Sequence, residues 1–100
     1  MSGFSETQEV LIEEMASFFR MMGDPTRIRI LSLLFDEELC VHTLAERLEM
    51  THSAVSHQLA LLKHARLVRS RREGRHVYYR LADEHVQKVY ELAREHLEEM

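Results

Sequence analysis

The chain is poor in residues that punctuate or cross-link: one cysteine, one proline, three glycines and no tryptophan among 100 residues. A lone thiol, Cys40, excludes an intrachain disulfide and makes a reducing, cytoplasmic setting the expected one. So little proline and glycine excludes low-complexity linkers and leaves few places for tight turns, and no internal repeat is present. No apolar run approaches the roughly 20 residues of a membrane span, and Met1 to Arg20 has no basic stretch followed by an apolar one. Neither a membrane segment nor a secretory leader is therefore expected. Also missing are H-E-x-x-H, a nucleophile elbow and a phosphate-binding glycine loop. The expectation is a protein that is not an enzyme and has no small organic substrate.

What is present is 45% hydrophobic residues in a chain of net charge −4, enough for one domain over residues 1–100 with a modest core. The charge is unevenly spread. Residues 62–80 hold Lys63, Arg66, Arg69, Arg71, Arg72, Arg75 and Arg80 against Glu73 alone, a net +6, while the rest of the chain is acidic. A basic stretch on an acidic molecule is an electrostatic footprint for phosphate, with a solvated charged hairpin as the competing reading.

Leu11, Met15, Phe18 and Met22 recur at helical spacing and predict an amphipathic helix over 6–22, stopped at Gly23. Asp24-Pro25 supplies an N-cap and a proline at the first helical position, starting a second helix to about Phe35 that buries Ile28, Ile30, Leu31, Leu33 and Leu34 in part. After the connector Asp36-Glu37-Glu38, a third helix is expected from about Val41 to Glu49. Thr51 caps a fourth over about 52–64. Val55, Leu59 and Leu62 form its inward stripe, leaving Ser53, Ser56, His57 and Gln58 outward in place of the usual Lys/Glu mix. Two helices joined by a short turn are a DNA-reading arrangement, the second entering the major groove. The β-rich runs 67–72 and 75–81, separated by Glu73-Gly74, predict a hairpin or wing. The expected fold is mainly α with a small β-hairpin (α+β), a winged helix-turn-helix.

The last helix is expected over about 83–99, with a stripe Val86, Tyr90, Ala93, Leu97 and Met100 toward its own domain and Val89 and Leu92 on a second apolar face. Asp83, His85, His96 and Glu99 carry imidazole nitrogen and carboxylate oxygen, donors suited to zinc and its neighbours. His85 and His96 are eleven residues apart, so they share a helix face but are separated by roughly 16 Å along it. One helix cannot close such a site. Two antiparallel copies across a two-fold axis can, giving a homodimer with two equivalent sites. Plain surface histidines and a capping Asp83 are the structural alternative.

The assembled string resembles the ArsR/SmtB family of winged-helix metal-sensing repressors. The resemblance rests on G-D-P-T-R-I-R-I-L-S-L-L at 23–34, E-L-C-V-H-T-L-A-E at 38–46, S-A-V-S-H-Q-L at 53–59 and L-V-R-S-R-R-E-G-R-H-V-Y-Y-R-L at 67–81. The D-x-H, ten residues, H-x-x-E spacing is similar to the inter-subunit site of the family's zinc sensors. The resemblance implies a repressor whose metal-free homodimer, joined through its first and last helices, binds double-stranded promoter DNA and is released by zinc, derepressing metal efflux or storage genes. Base edges and nearby phosphates would be met by Thr51, His52, Ser53, Ser56, His57 and Gln58, and phosphates by Lys63, Arg66, Arg71, Arg72 and Arg75. The family's second site, built on a C-V-C motif, is here Cys40-Val41-His42. The missing second thiolate argues against sensing of soft ions. His52 stands where the family often has glutamine. Nickel or cobalt in place of zinc, a repressor that senses no metal, and a winged helix used for protein–protein interaction remain open. A small zinc hydrolase is disfavoured, since four protein ligands leave no open coordination position.

Overall fold

The computed structural model describes residues 3–100, in the order α1 (Glu6–Met22), α2 (Pro25–Asp36), β1 (Leu39–Cys40), α3 (Val41–Leu48), α4 (His52–His64), β2 (Val68–Glu73), β3 (His76–Leu81) and α5 (Glu84–Glu98). Local chemistry fixes the helix ends. Ser5 Oγ accepts from the Gln8 amide at 3.1 Å and Gln8 Oε1 from the Ser5 amide at 2.8 Å, a reciprocal capping box for α1. Asp24 Oδ2 accepts from the Arg27 amide at 3.0 Å, with Pro25 in the first turn of α2. Thr51 Oγ1 accepts from the Ala54 amide at 3.1 Å to start α4. Between α3 and α4, Glu49 takes a left-handed conformation, φ 55°, and its amide reaches back to the Ala45 and Glu46 carbonyls.

The sheet has three strands rather than the two of a plain hairpin. β3 lies in the middle, paired antiparallel with β2 (Val68↔Leu81 through Glu73↔His76) and with β1 (Leu39↔Tyr79, Cys40↔Tyr78). Two residues before a helix carry no period-2 signal, so β1 exists only because folding brings it to the free edge of β3. The turn is Gly74-Arg75, one residue later than the sequence suggested. Gly74, φ +62°, occupies the first turn position, where a positive φ suits a two-residue hairpin.

The core is wholly apolar: Ile30, Leu31, Leu34, Leu39, Leu44, Val55, Leu59, Leu62, Leu67, Val68, Leu81 and Val86 come together from all but α1, which adds Met22, and among the described residues no polar or charged side chain is buried. At about 1.5–3 kcal/mol for each large apolar side chain removed from water, this cluster fixes α3, α4 and the wing relative to α2. The expected α4 stripe of Val55, Leu59 and Leu62 is fully buried. Other expected stripes are packed only in part. On α1, Phe18 and Met22 meet the core while Leu11 and Met15 are exposed, and Ile28 of α2 faces out. On α5, Val86 is buried and Tyr90 half-buried, but Ala93, Leu97 and Met100 are exposed, and Val89, placed by the sequence on the other face, packs against the core. The physical reason is length: α5 runs past the edge of its own domain, so only its first half has anything to pack on. Among the described residues, no helix is long and apolar enough to cross a membrane.

Candidate nucleic-acid interface and metal half-sites

Burial of Val55, Leu59 and Leu62 turns the other side of α4 to solvent, and His52, Ser53, Ser56 and His57 are exposed there. Thr51 is exposed too, its hydroxyl oxygen occupied by the cap. Two further residues of α4 have side-chain partners. Gln58 is half-buried, and its Oε1 accepts from Arg27 Nε of α2 at 3.0 Å. His52 Nε2 lies 3.3 Å from His42 Nδ1, the rings edge-to-face, while His42 Nε2 is 3.5 Å from Glu46 Oε2. The start of α4 is thus tied to α3 and its middle to α2, links no linear pattern shows.

The basic residues divide in the same way. Lys63 Nζ donates to Ser70 Oγ at 2.8 Å, joining α4 to β2. Arg71 Nε donates to both Glu38 oxygens at 3.0 and 3.1 Å, its Nη1 donates to Glu73 Oε2 at 2.6 Å, and its guanidinium lies 4.9 Å from the Tyr78 ring centroid. The Glu73 and Glu38 carboxylates hold the Arg71 guanidinium above its ordinary value, and Arg71 in turn lowers the Glu73 carboxyl. Arg80 Nε is 3.9 Å from Glu38. By contrast, Arg66, Arg69, Arg72 and Arg75 are exposed and form no ion pair among the described residues. Arg66, φ 63°, occupies the left-handed position just after α4 and is exposed.

At the other pole, Asp83 is the N-cap of α5. Its Oδ1 accepts from the His85 amide at 2.9 Å and the Val86 amide at 3.2 Å, while Oδ2 lies 3.5 Å from His85 Nδ1. The Val86 amide foremost, and then the His85 amide and ring, hold the Asp83 carboxyl below its ordinary value, so it is an anion near neutral pH. The sequence offered cap or ligand as alternatives; the cap uses Oδ1 and leaves Oδ2 facing the His85 ring. Two donors bound at about 2.0–2.1 Å around a tetrahedral ion are about 3.3 Å apart, close to the 3.5 Å seen between Oδ2 and Nδ1. Asp83 and His85 therefore fit as one half of a zinc site. His96 and Glu99 stand exposed at the far end of α5, and among the described residues no three metal-type side chains converge. Cys40 stands at the N-cap position of α3 without a side-chain cap bond, its Sγ 3.4 Å from Thr43 Oγ1, whose hydrogen bond lowers the thiol's pKa.

Residues 24–70 match a family model described as bacterial regulatory protein, arsR family. The transcriptional repressor SmtB homolog of Synechocystis is 49% identical over 87 residues, which cover 87% of this chain and 66% of that protein. This chain thus spans just under two thirds of that relative's length. The cadmium resistance transcriptional regulatory protein CadC homolog of Staphylococcus aureus is 39% identical over 88 residues, 87% of this chain and 73% of that one. Among solved structures, the homodimeric winged helix-turn-helix DNA-binding domain of Mycobacterium bovis Mb0332 superimposes with a TM-score of 0.88 at 35% identity, covering 100% of this chain and 96% of that one.

Proposed function

The chain belongs to the arsR family of bacterial regulatory proteins, a family of regulators and not of enzymes, and from that premise we propose that it is a cytoplasmic, homodimeric, zinc-responsive repressor of metal efflux or storage genes. The observation that carries the reading is the make-up of α5. An ionised Asp83 stands beside His85 in its first turn, His96 and Glu99 close it, and the exposed Leu92 and Leu97 give it an apolar flank for a second protomer.

In the metal-free dimer, each α4 presents Ser53, Ser56 and His57 to a major groove, with the Arg72 and Arg75 wing tip on the adjacent backbone. Thr51, His52 and Gln58 border that face, and Lys63, Arg66 and Arg71 support the phosphate-facing side. Asp83 and His85 of one protomer, with His96 and Glu99 of its partner, would hold the metal. Zinc held by these residues would supply a redox-inert cross-link between the two protomers. The same nitrogen and oxygen donors serve nickel or cobalt. With the two α5 helices held in that pairing, the two α4 helices no longer match grooves about 34 Å apart, and DNA affinity falls. Linkage requires operator DNA to weaken metal binding by the same factor.

The test is fluorescence anisotropy of a promoter duplex with and without zinc, on wild type and His96→Ala. Zinc should release the wild type and leave the variant bound. Release of both would remove the α5 site from the account, and failure of either to bind DNA would favour a protein-interaction role for the winged helix.

A further inference from the structure

α2 is bonded through side chains to both of the elements that the repressor reading needs to couple. Toward its start, Arg27 Nε donates to Gln58 Oε1 on α4 at 3.0 Å, and Arg27 Nη1 reaches the Met21 carbonyl at 3.5 Å. Both side chains are half-buried, so this bond works in a lower dielectric than an exposed pair. Gln58 sits between Val55 and Leu59 on α4, and the guanidinium fork limits how far that helix can roll about its buried stripe. Toward the other end, Ser32 Oγ donates its single proton to the Ile28 carbonyl at 2.8 Å. The 2.7 Å contact with Tyr90 is then a bond in which the phenol donates to Ser32. Around it, the Tyr90 ring packs on Phe35 with centroids 5.3 Å apart, Arg94 lies over both rings, and Gln87 Nε2 reaches the Phe35 carbonyl at 3.5 Å. Arg27 and Ser32 are five residues apart, about 140° around the helix and about 7.5 Å along it, so one rigid rod faces α4 on one side and α5 on the other.

We propose that α2 is the element that couples α5 to the reading helix, with Arg27 as the positioning residue for α4 and Tyr90 as the tie from α5; the inference rests on the repressor reading above. Movement of α5 draws Tyr90 against Ser32, the rod shifts, and the Arg27–Gln58 bond carries the shift to the base-facing side of α4. Neither bond is needed for the fold, since the apolar core already holds α2, α4 and the wing together.

Two conservative variants test it on the full chain, with a duplex selected from a random pool by the wild-type protein as probe and zinc sulfate as effector. Tyr90→Phe keeps the ring and removes the phenol. Metal-free DNA affinity and zinc affinity without DNA should stay within about two-fold of wild type, while the zinc-dependent change in DNA affinity shrinks by about three-fold or more. Arg27→Lys keeps the charge and removes the Nε–H. In the metal-free protein, the preference for selected over unselected duplex should fall about five-fold, with the salt dependence on unselected duplex unchanged. Amide exchange in α4 should quicken in Arg27→Lys without zinc present. A Tyr90→Phe protein that responds to zinc like wild type overturns the tie. An Arg27→Lys protein with full sequence preference, or with a reduced salt slope, overturns the positioning role. A wild type indifferent to zinc sinks the repressor reading and this inference together, and is distinguished by occurring before any substitution.

Discussion

Asp83 shows most clearly how one side chain holds two roles. Its Oδ1 closes two amides of the first turn of α5 while Oδ2 faces His85. Asp83→Asn keeps a good cap and loses the anionic donor, so it should weaken zinc binding with little change in urea stability. Asp83→Ala should lose both, lowering urea stability as well as zinc affinity. The carboxyl's folded pKa lies below its unfolded value of about 3.9. Its contribution is therefore complete above that value and is lost as pH falls through the depressed folded value. Acid titration of stability should show that loss below the ordinary carboxylate range in wild type and not in Asp83→Asn. The wing arginines separate in the same manner. Arg72→Ala and Arg75→Ala should each weaken binding to any duplex and reduce the salt slope by about one. Arg71→Ala should chiefly free Glu38 and Glu73 and loosen the wing, read as faster amide exchange in β2 and β3.

At the scale of the element, four helices begin on a side-chain cap and two end under strain. Ser5, Asp24, Thr51 and Asp83 each cap with their own side chain, yet α3 and α4 stop at Glu49 and Arg66 in left-handed conformations that glycine fills at lower cost. Arg66 keeps a charge beside the reading helix at the expense of that strain. Arg66→Gly should raise stability by about 0.5–1 kcal/mol in urea denaturation while lowering DNA affinity in anisotropy, two effects of opposite sign. If stability and affinity fall together, Arg66 is packing rather than presenting its charge.

The whole molecule is extended for its size. Its radius of gyration is 15.3 Å, against about 13 Å for an ordinary 100-residue domain, because α1 and the second half of α5 project beyond the core. Those projections expose Val10, Leu11, Met15 and Phe19 on α1, and Leu92, Leu97 and Met100 on α5. Apolar surface on that scale marks an interface. Combined Phe19→Glu and Leu97→Glu should shift sedimentation from dimer to monomer and abolish zinc binding, while the α3–α4–wing unit, whose core contains neither residue, keeps its helical signal. A dimer that survives both charges would place the interface elsewhere.

The boundaries of α1 and α4, the buried stripe of α4 and the basic hairpin could all be read from the chain, the turn of the hairpin to within one residue. Each depends on period, cap or turn chemistry that acts within a few residues. Proline at 25 and glycine at 74 are informative because the chain has so few of either. Donor chemistry singled out Asp83, His85, His96 and Glu99 on α5, the family resemblance matched their spacing, and helix geometry showed that one copy could not bring them together. Other features depended on parts of the chain that folding brings together. β1 forms because β3 offers it an edge. Arg71 is held in an ion pair because a glutamate 33 residues away lies beside it. Gln58, expected to be free on the outer face of α4, is anchored by Arg27, and Tyr90 finds Ser32 across 58 residues of sequence. Periodicity tells which face of a helix is apolar, but only the packed domain decides how far along that helix there is anything to cover it, which is why half of α5 is core and half is surface.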